Sequence, residues 1–147
     1  MKESRYLFIG GLMVTLVADR WLKTLALSGH VGRLGLTKFI LFKNPGIIFS
    51  WPVPNAAAIV LMCLAIAGVV WWGWRSWKRK NYHSLMAGSL IGLGAISNLY
   101  DRMAHGFVID WAYVGPWWPV MNLADMMIMA GIVIALRPAK IDKQPAV

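Results

Sequence analysis

Acidic residues are scarce in this 147-residue chain, with six Asp and Glu against fifteen Lys and Arg and a formal net charge of +9. Cysteine is nearly absent. Cys63 stands alone inside an apolar run, which rules out an internal disulfide and any cysteine-based metal pattern. His30, His83 and His105 lack ligand-like spacing, so no metal and no cofactor is expected. Low-complexity stretches are missing, and the one repeated motif is Asn-Leu-x-Asp, at Asn98–Asp101 and Asn122–Asp125. Polar side chains are also too few for a soluble domain. Hydrophobic residues make up 59% of the chain and the mean hydropathy is +0.57, more apolar surface than a fold of this size can bury. The basic excess by itself suits nucleic acid, but the basic residues fall in the gaps between apolar segments, and no nucleic-acid partner is expected.

What is present fits an integral membrane protein of one domain over residues 1–147, with membrane lipid as its surroundings and a monomeric state. Nine Trp and nine Met suit a lipid environment with aromatic residues at the boundary. Apolar segments predict helices over about 6–27, 56–74, 84–100 and 120–136, joined by outer loops over 28–55 and 101–119. The last two segments are short for spanning helices and use polar terminal turns to reach the surface. Lys2 and Arg5, the run Arg75, Lys78, Arg79 and Lys80, and Arg137, Lys140 and Lys143 all fall on one side of four alternating helices. By the positive-inside rule that side is cytoplasmic and both termini lie there. Arg33, Lys38, Lys43 and Arg102 lie on the opposite side. The N-terminal segment has the outline of a signal peptide ending at Ala26-Leu27-Ser28, but Asp19, Arg20 and Lys23 interrupt it, so an uncleaved first helix is expected. The first outer loop, with Gly29, Gly32, Gly35 and Gly46 around Phe39-Ile40-Leu41-Phe42, predicts short strands or an element lying on the membrane. The second, with Phe107, Trp111, Tyr113, Trp117 and Trp118, predicts an aromatic loop at headgroup level.

The few carboxylates are concentrated where helices meet the outer surface. Residues three or four apart share a helical face, which pairs Asn98 with Asp101, Asn122 with Asp125, and Asp19 with Lys23. An up-and-down topology brings these polar ends together, and Asp110 is tethered within reach. A lone membrane Asp or Asn is often only interhelical glue, worth about 0.6 kcal/mol. A set gathered on one face points to a working site. Asp101 would stay ionised if Arg102 pairs with it, which suits a structural role. Asp110, between Val108, Ile109 and Trp111, and Asp125, beside Ala124, Met126 and Met127, have apolar neighbours. Two such carboxylates brought close would share one proton and supply an acid and a base. Residue types therefore favour Asp110 with Asp125. A transporter or proton pathway would use the same carboxylates, although none lies deep in the second helix or in the inner halves of the third and fourth. Asp19 with Lys23 also reads as a surface ion pair, Arg102 as a snorkelling anchor and Asn44 as a turn residue.

Five motifs in chain order resemble those of lipoprotein signal peptidase, the bacterial signal peptidase II family. Asp19-Arg20-Trp21-Leu22-Lys23 resembles its Asp-x-x-x-Lys, and Asn44-Pro45-Gly46-Ile47-Ile48-Phe49 resembles Asn-x-Gly-x-Ala-Phe. Gly94 to Arg102 resembles Gly-Ala-x-Gly-Asn-x-x-Asp-Arg, Gly106 to Asp110 resembles Gly-x-Val-x-Asp, and Met121-Asn122-Leu123-Ala124-Asp125 resembles Phe-Asn-x-Ala-Asp. The chain departs at Ile48, where the family usually has Ala, at Ser97 for Gly, and at Met121 and Trp111 for Phe. The resemblance implies an all-α membrane protein, with four transmembrane helices, a small extracytoplasmic β-cradle and an outer loop or helix between helices three and four. It implies an aspartic endopeptidase of the bacterial inner membrane, its site facing outward, that cuts diacylglyceryl-modified prolipoproteins before the lipidated cysteine. It makes Asp110 and Asp125 the catalytic pair. Asn44, Gly46, Asn98, Arg102, Asn122 and Ala124 would line the site or hold substrate, with Asp101, Asp19 and Lys23 in support. An inactive relative that only binds lipoproteins is the remaining alternative.

Overall fold

The computed structural model describes residues 2–46, 51 and 53–137. Ile48 and Phe49 of the second motif, and Lys140 and Lys143, lie outside the described residues. Helix α1 (Lys2–Leu27) leads into strands β1 (Gly32–Leu34) and β2 (Thr37–Asn44). Helices α2 (Asn55–Lys78) and α3 (Tyr82–His105) follow, then strand β3 (Val108–Tyr113) and helix α4 (Leu123–Leu136). The molecule is mostly helical with one small antiparallel sheet in the order β1-β2-β3.

Burial is inverted relative to a soluble protein. Large apolar side chains such as Leu7, Val14, Val17 and Leu64 are exposed, while Asp19, Lys23, Asp101, Arg102, Asp110 and Asn122 are buried. Among the described residues, α2 is the one helix long and apolar enough to cross a membrane, and only 6% of its most apolar stretch is buried. Helix α4 is apolar but shorter.

Helix α3 runs five residues past the predicted end at 100. Nothing at Asp101 to His105 breaks a helix, and the charged residues Asp101 and Arg102 mark no boundary because both are buried against protein. Gly106 ends the helix with φ +82°, a left-handed conformation that favours glycine, and its N–H donates to the Arg102 carbonyl. Helix α4 begins at Leu123 rather than 120 because Met121 is drawn into the sheet, exchanging hydrogen bonds with Ala112 at 2.8 and 3.1 Å. Asn122 then caps α4 through a capping box with Asp125.

Small residues let α3 and α4 approach closely. A Cβ on Gly94 would lie 2.4 Å from the Ala124 carbonyl oxygen, and one on Gly131 would lie 2.8 Å from that of Ala87. Neither backbone atom can yield without moving a helix, so glycine sets the separation at which Asp125 meets α3. The β2–β3 register shifts between Phe39 and Phe42, a bulge that pairs Phe42 with Asp110 and Asn44 with Val108. Beneath the sheet, Ala26 of α1 packs with Ile109, Trp111 and Ala112.

Candidate active site

The site is assembled from every helix end on one side of the molecule together with β2 and β3. Asp110, fully buried on β3, accepts hydrogen bonds at both oxygens: from Asn44 Nδ2 at 2.9 Å and from Asn122 Nδ2 at 2.6 Å. Asp125, in the first turn of α4, accepts from Asn98 Nδ2 at 2.7 Å and from the Asn122 backbone N–H at 3.2 Å. Asn122 also donates from Nδ2 to Asn98 Oδ1 at 3.2 Å. The two carboxylates thus sit at the ends of a hydrogen-bonded chain through Asn122 and Asn98. Burial pushes the Asp110 carboxyl up to about 7, and the negative charge of Asp125 pushes the same way. Hydrogen bonds from Asn44 and Asn122 and the charge of Lys23 oppose that rise.

A buried ion cluster supports this chain from below. Lys23 Nζ lies 2.7 Å from Asp101 Oδ2 and 3.2 Å from Asp19 Oδ2, and it donates to Asn98 Oδ1 at 2.8 Å. That last bond fixes the amide of Asn98, turning its oxygen to Lys23 and its nitrogen to Asp125. Asp19 accepts from the Ala124 backbone N–H at 3.0 Å, so α1 caps the helix that carries Asp125. Its other oxygen accepts from Ser97 Oγ at 2.6 Å. Asp101 also pairs with Arg20 at 2.6 Å and accepts from the Ile109 backbone N–H at 3.3 Å, next to Asp110.

A cavity of about 480 Å³ opens beside Asp125. Its polar end carries Asn44, Gly46, Asn98, Arg102 and Asp125, and its apolar wall includes Met62, Val108, Ile128, Met129 and Ile132. Asp110 is not part of the lining and connects to it through its hydrogen bond with Asn44.

A family model for signal peptidase (SPase) II matches residues 12–138. The chain belongs to the signal peptidase II family. Lipoprotein signal peptidase of Syntrophomonas wolfei is 36% identical over 135 residues, covering 92% of this chain and 72% of that protein. That of Dichelobacter nodosus is 38% identical over 105 residues, covering 67% of this chain and 68% of its own length. A solved bacterial membrane enzyme shares the fold with a TM-score of 0.73 at 18% identity, over 88% of this chain and 84% of its own. A second shares it at a TM-score of 0.70 and 18% identity, over 88% and 89%. Membership makes the chain a peptidase.

The site residues expected from sequence gather in one region, but several partners differ from those the sequence suggests. Asp101 pairs with Lys23 and Arg20, not with its neighbour Arg102. Asp19 and Lys23 form no surface pair, because both side chains are fully buried. Arg102 is likewise no snorkelling anchor. It is buried on α3 and donates to the carbonyls of Pro45, at 3.3 Å, and Gly46. It thereby holds the turn that follows Asn44. Ser97, a departure from the family motif, adds a hydrogen bond to Asp19. Asn55 is a residue that sequence reasoning missed: its Nδ2 donates to the Arg102 carbonyl at 3.2 Å, and its Oδ1 accepts from Arg102 Nη1 at 3.4 Å. No motif marks a lone Asn at the start of an apolar helix. Arg20 gave only the signal of its charge within an apolar segment.

Proposed function

We propose that this chain is an aspartic membrane endopeptidase that removes the signal peptide of diacylglyceryl-modified prolipoproteins, cutting before the lipidated cysteine. In this reading all four helices cross the bacterial inner membrane, both termini are cytoplasmic, the site faces outward, and the protein works as a monomer. The observation that carries the reading is the pair Asp110 and Asp125, linked through Asn122 and Asn98 beside a cavity with an apolar wall.

One carboxylate takes a proton from water as its oxygen attacks the scissile carbonyl carbon. The other, protonated, donates to the leaving nitrogen as the C–N bond breaks. A carboxyl held near neutrality suits this exchange, because it carries a proton and releases it in the physiological range. Asn98 and Asn122 keep the two groups apart in a fixed geometry. Arg102 borders the cavity, where its guanidinium holds the Pro45 and Gly46 carbonyls that follow Asn44. The apolar wall between α2 and α4 suits the acyl chains of a lipid-bearing substrate.

The test is incubation of the purified protein in detergent micelles with a prolipoprotein, with and without its diacylglyceryl group. The expected product begins at the modified cysteine, read by mass spectrometry, and the unmodified precursor stays whole. An intact modified precursor, with the protein folded and the precursor bound, would favour a binding-only relative. Proton flux in vesicles that depends on Asp125 would favour a transport role.

A further inference from the structure

We propose that the exposed face of the β1–β2 hairpin is a binding surface for anionic phospholipid headgroups in the leaflet that borders the site. Arg33 of β1 stands directly opposite Lys38 of β2, and both are exposed. Like charges in that position repel and destabilise a strand pair unless an anion lies between or above them. Lys43, also exposed, continues the positive surface along β2.

Among the described residues no ion pair reaches Arg33, Lys38 or Lys43. Asp19, Asp101 and Asp110 are fully buried and Asp125 is engaged inside the site. Glu3 is in the first turn of α1, about 36 Å along the helix from its hairpin end. Asp142 lies outside the described residues.

Three features favour a lipid surface over a soluble acidic partner. The hairpin begins just beyond the end of α1, so it sits where that helix leaves the membrane. Lys38 Nζ lies 5.8 Å from the Tyr113 ring and Lys43 Nζ lies 5.4 Å from the Phe107 ring, combining cations and aromatic rings at one level. Leu36 at the hairpin turn is 84% exposed and Val31 is 76% exposed, apolar side chains beside the cations that can dip between acyl chains while the amines reach phosphate. Cations on this side also oppose the charge asymmetry that orients the helices, a cost offset by anionic lipid.

The proposal rests on the outward placement of the sheet. Hydrogen–deuterium exchange of residues 32–44 tests it, with the full chain in phosphatidylcholine nanodiscs and in nanodiscs containing phosphatidylglycerol. Phosphatidylglycerol is expected to slow exchange about tenfold to hundredfold, an effect that added salt removes. The triple variant R33Q/K38Q/K43Q is expected to exchange equally in both lipids. Equal exchange of wild type in both lipids, slowing that persists in the variant, or equal slowing by inorganic phosphate in phosphatidylcholine would each overturn it. Exchange is read without turnover, so loss of this surface and loss of the peptidase reading give separate results.

Discussion

Replacing Asp110 by Asn, or Asp125 by Asn, is expected to lower cleavage by about 10³-fold or more while the protein stays folded, because each change removes one partner of the acid–base pair. Far-UV circular dichroism checks the fold and cleavage of the lipid-modified precursor checks the rate. Asp110→Asn carries a second signature. The folded protein holds the Asp110 carboxyl at about 7, above the ordinary carboxylate value of about 3.9 in an unfolded chain. Between those values the folded state binds more protons, so stability is lost as pH rises from about 4 to about 7. Asn does not titrate. The melting temperature of the wild type should therefore fall from about pH 5 to about pH 8, and that of Asp110→Asn should fall less. Equal slopes would show that Asp110 is not held protonated. Near-wild-type turnover in either variant would remove that residue from the reaction.

Lys23→Met is expected to be the most destabilising single change. The ammonium group is fully buried between Asp19 and Asp101, at 3.2 and 2.7 Å. Without it Asp101 keeps Arg20 as an ion partner, while Asp19 keeps only the neutral donors Ser97 and Ala124. Stranding buried charge in this way costs about 3–5 kcal/mol. For a chain of this size the melting temperature should drop by roughly 10 °C or more. Activity should fall further than stability alone explains, because Asn98 loses the bond that turns its nitrogen to Asp125. A Lys23→Met/Asp19→Asn double variant should recover part of the lost stability, since it removes the carboxylate left without an ion partner. A melting temperature within a degree or two of wild type for Lys23→Met alone would contradict this role.

Much of the architecture was legible because long apolar segments announce helices by composition. The α2 segment is apolar around its whole circumference, and the Asn-Leu-x-Asp repeats marked the polar helix ends. Element boundaries were less legible. The charged neighbours Asp101 and Arg102 looked like the start of a loop, whereas partners on α1 and on the Pro45–Gly46 turn let α3 continue through them. Strand β3 was hidden because its residues are buried on both faces, so Val108 to Trp111 shows no alternation of polar and apolar positions. The carboxylates could be placed on one surface from topology, but their partners could not. The sequence neighbours Asp101 and Arg102 suggest a pair. The helix geometry instead sends Asp101 to α1 and Arg102 to the Pro45–Gly46 turn and to Asn55. Ser97 reads as a substitution in a glycine position, and only the fold shows that its hydroxyl reaches Asp19 across the helix interface.

The claim that Asp110 and Asp125 share one catalytic proton is tested most directly by the pH dependence of kcat/KM for cleavage of the lipid-modified precursor. Only the singly protonated pair has both an acid and a base, so the expected profile is bell-shaped, with its alkaline limb near the value of about 7 at which Asp110 gives up its proton. A rate that stays flat from about pH 5 to about pH 9 would contradict the shared proton and leave the two carboxylates with a structural role only.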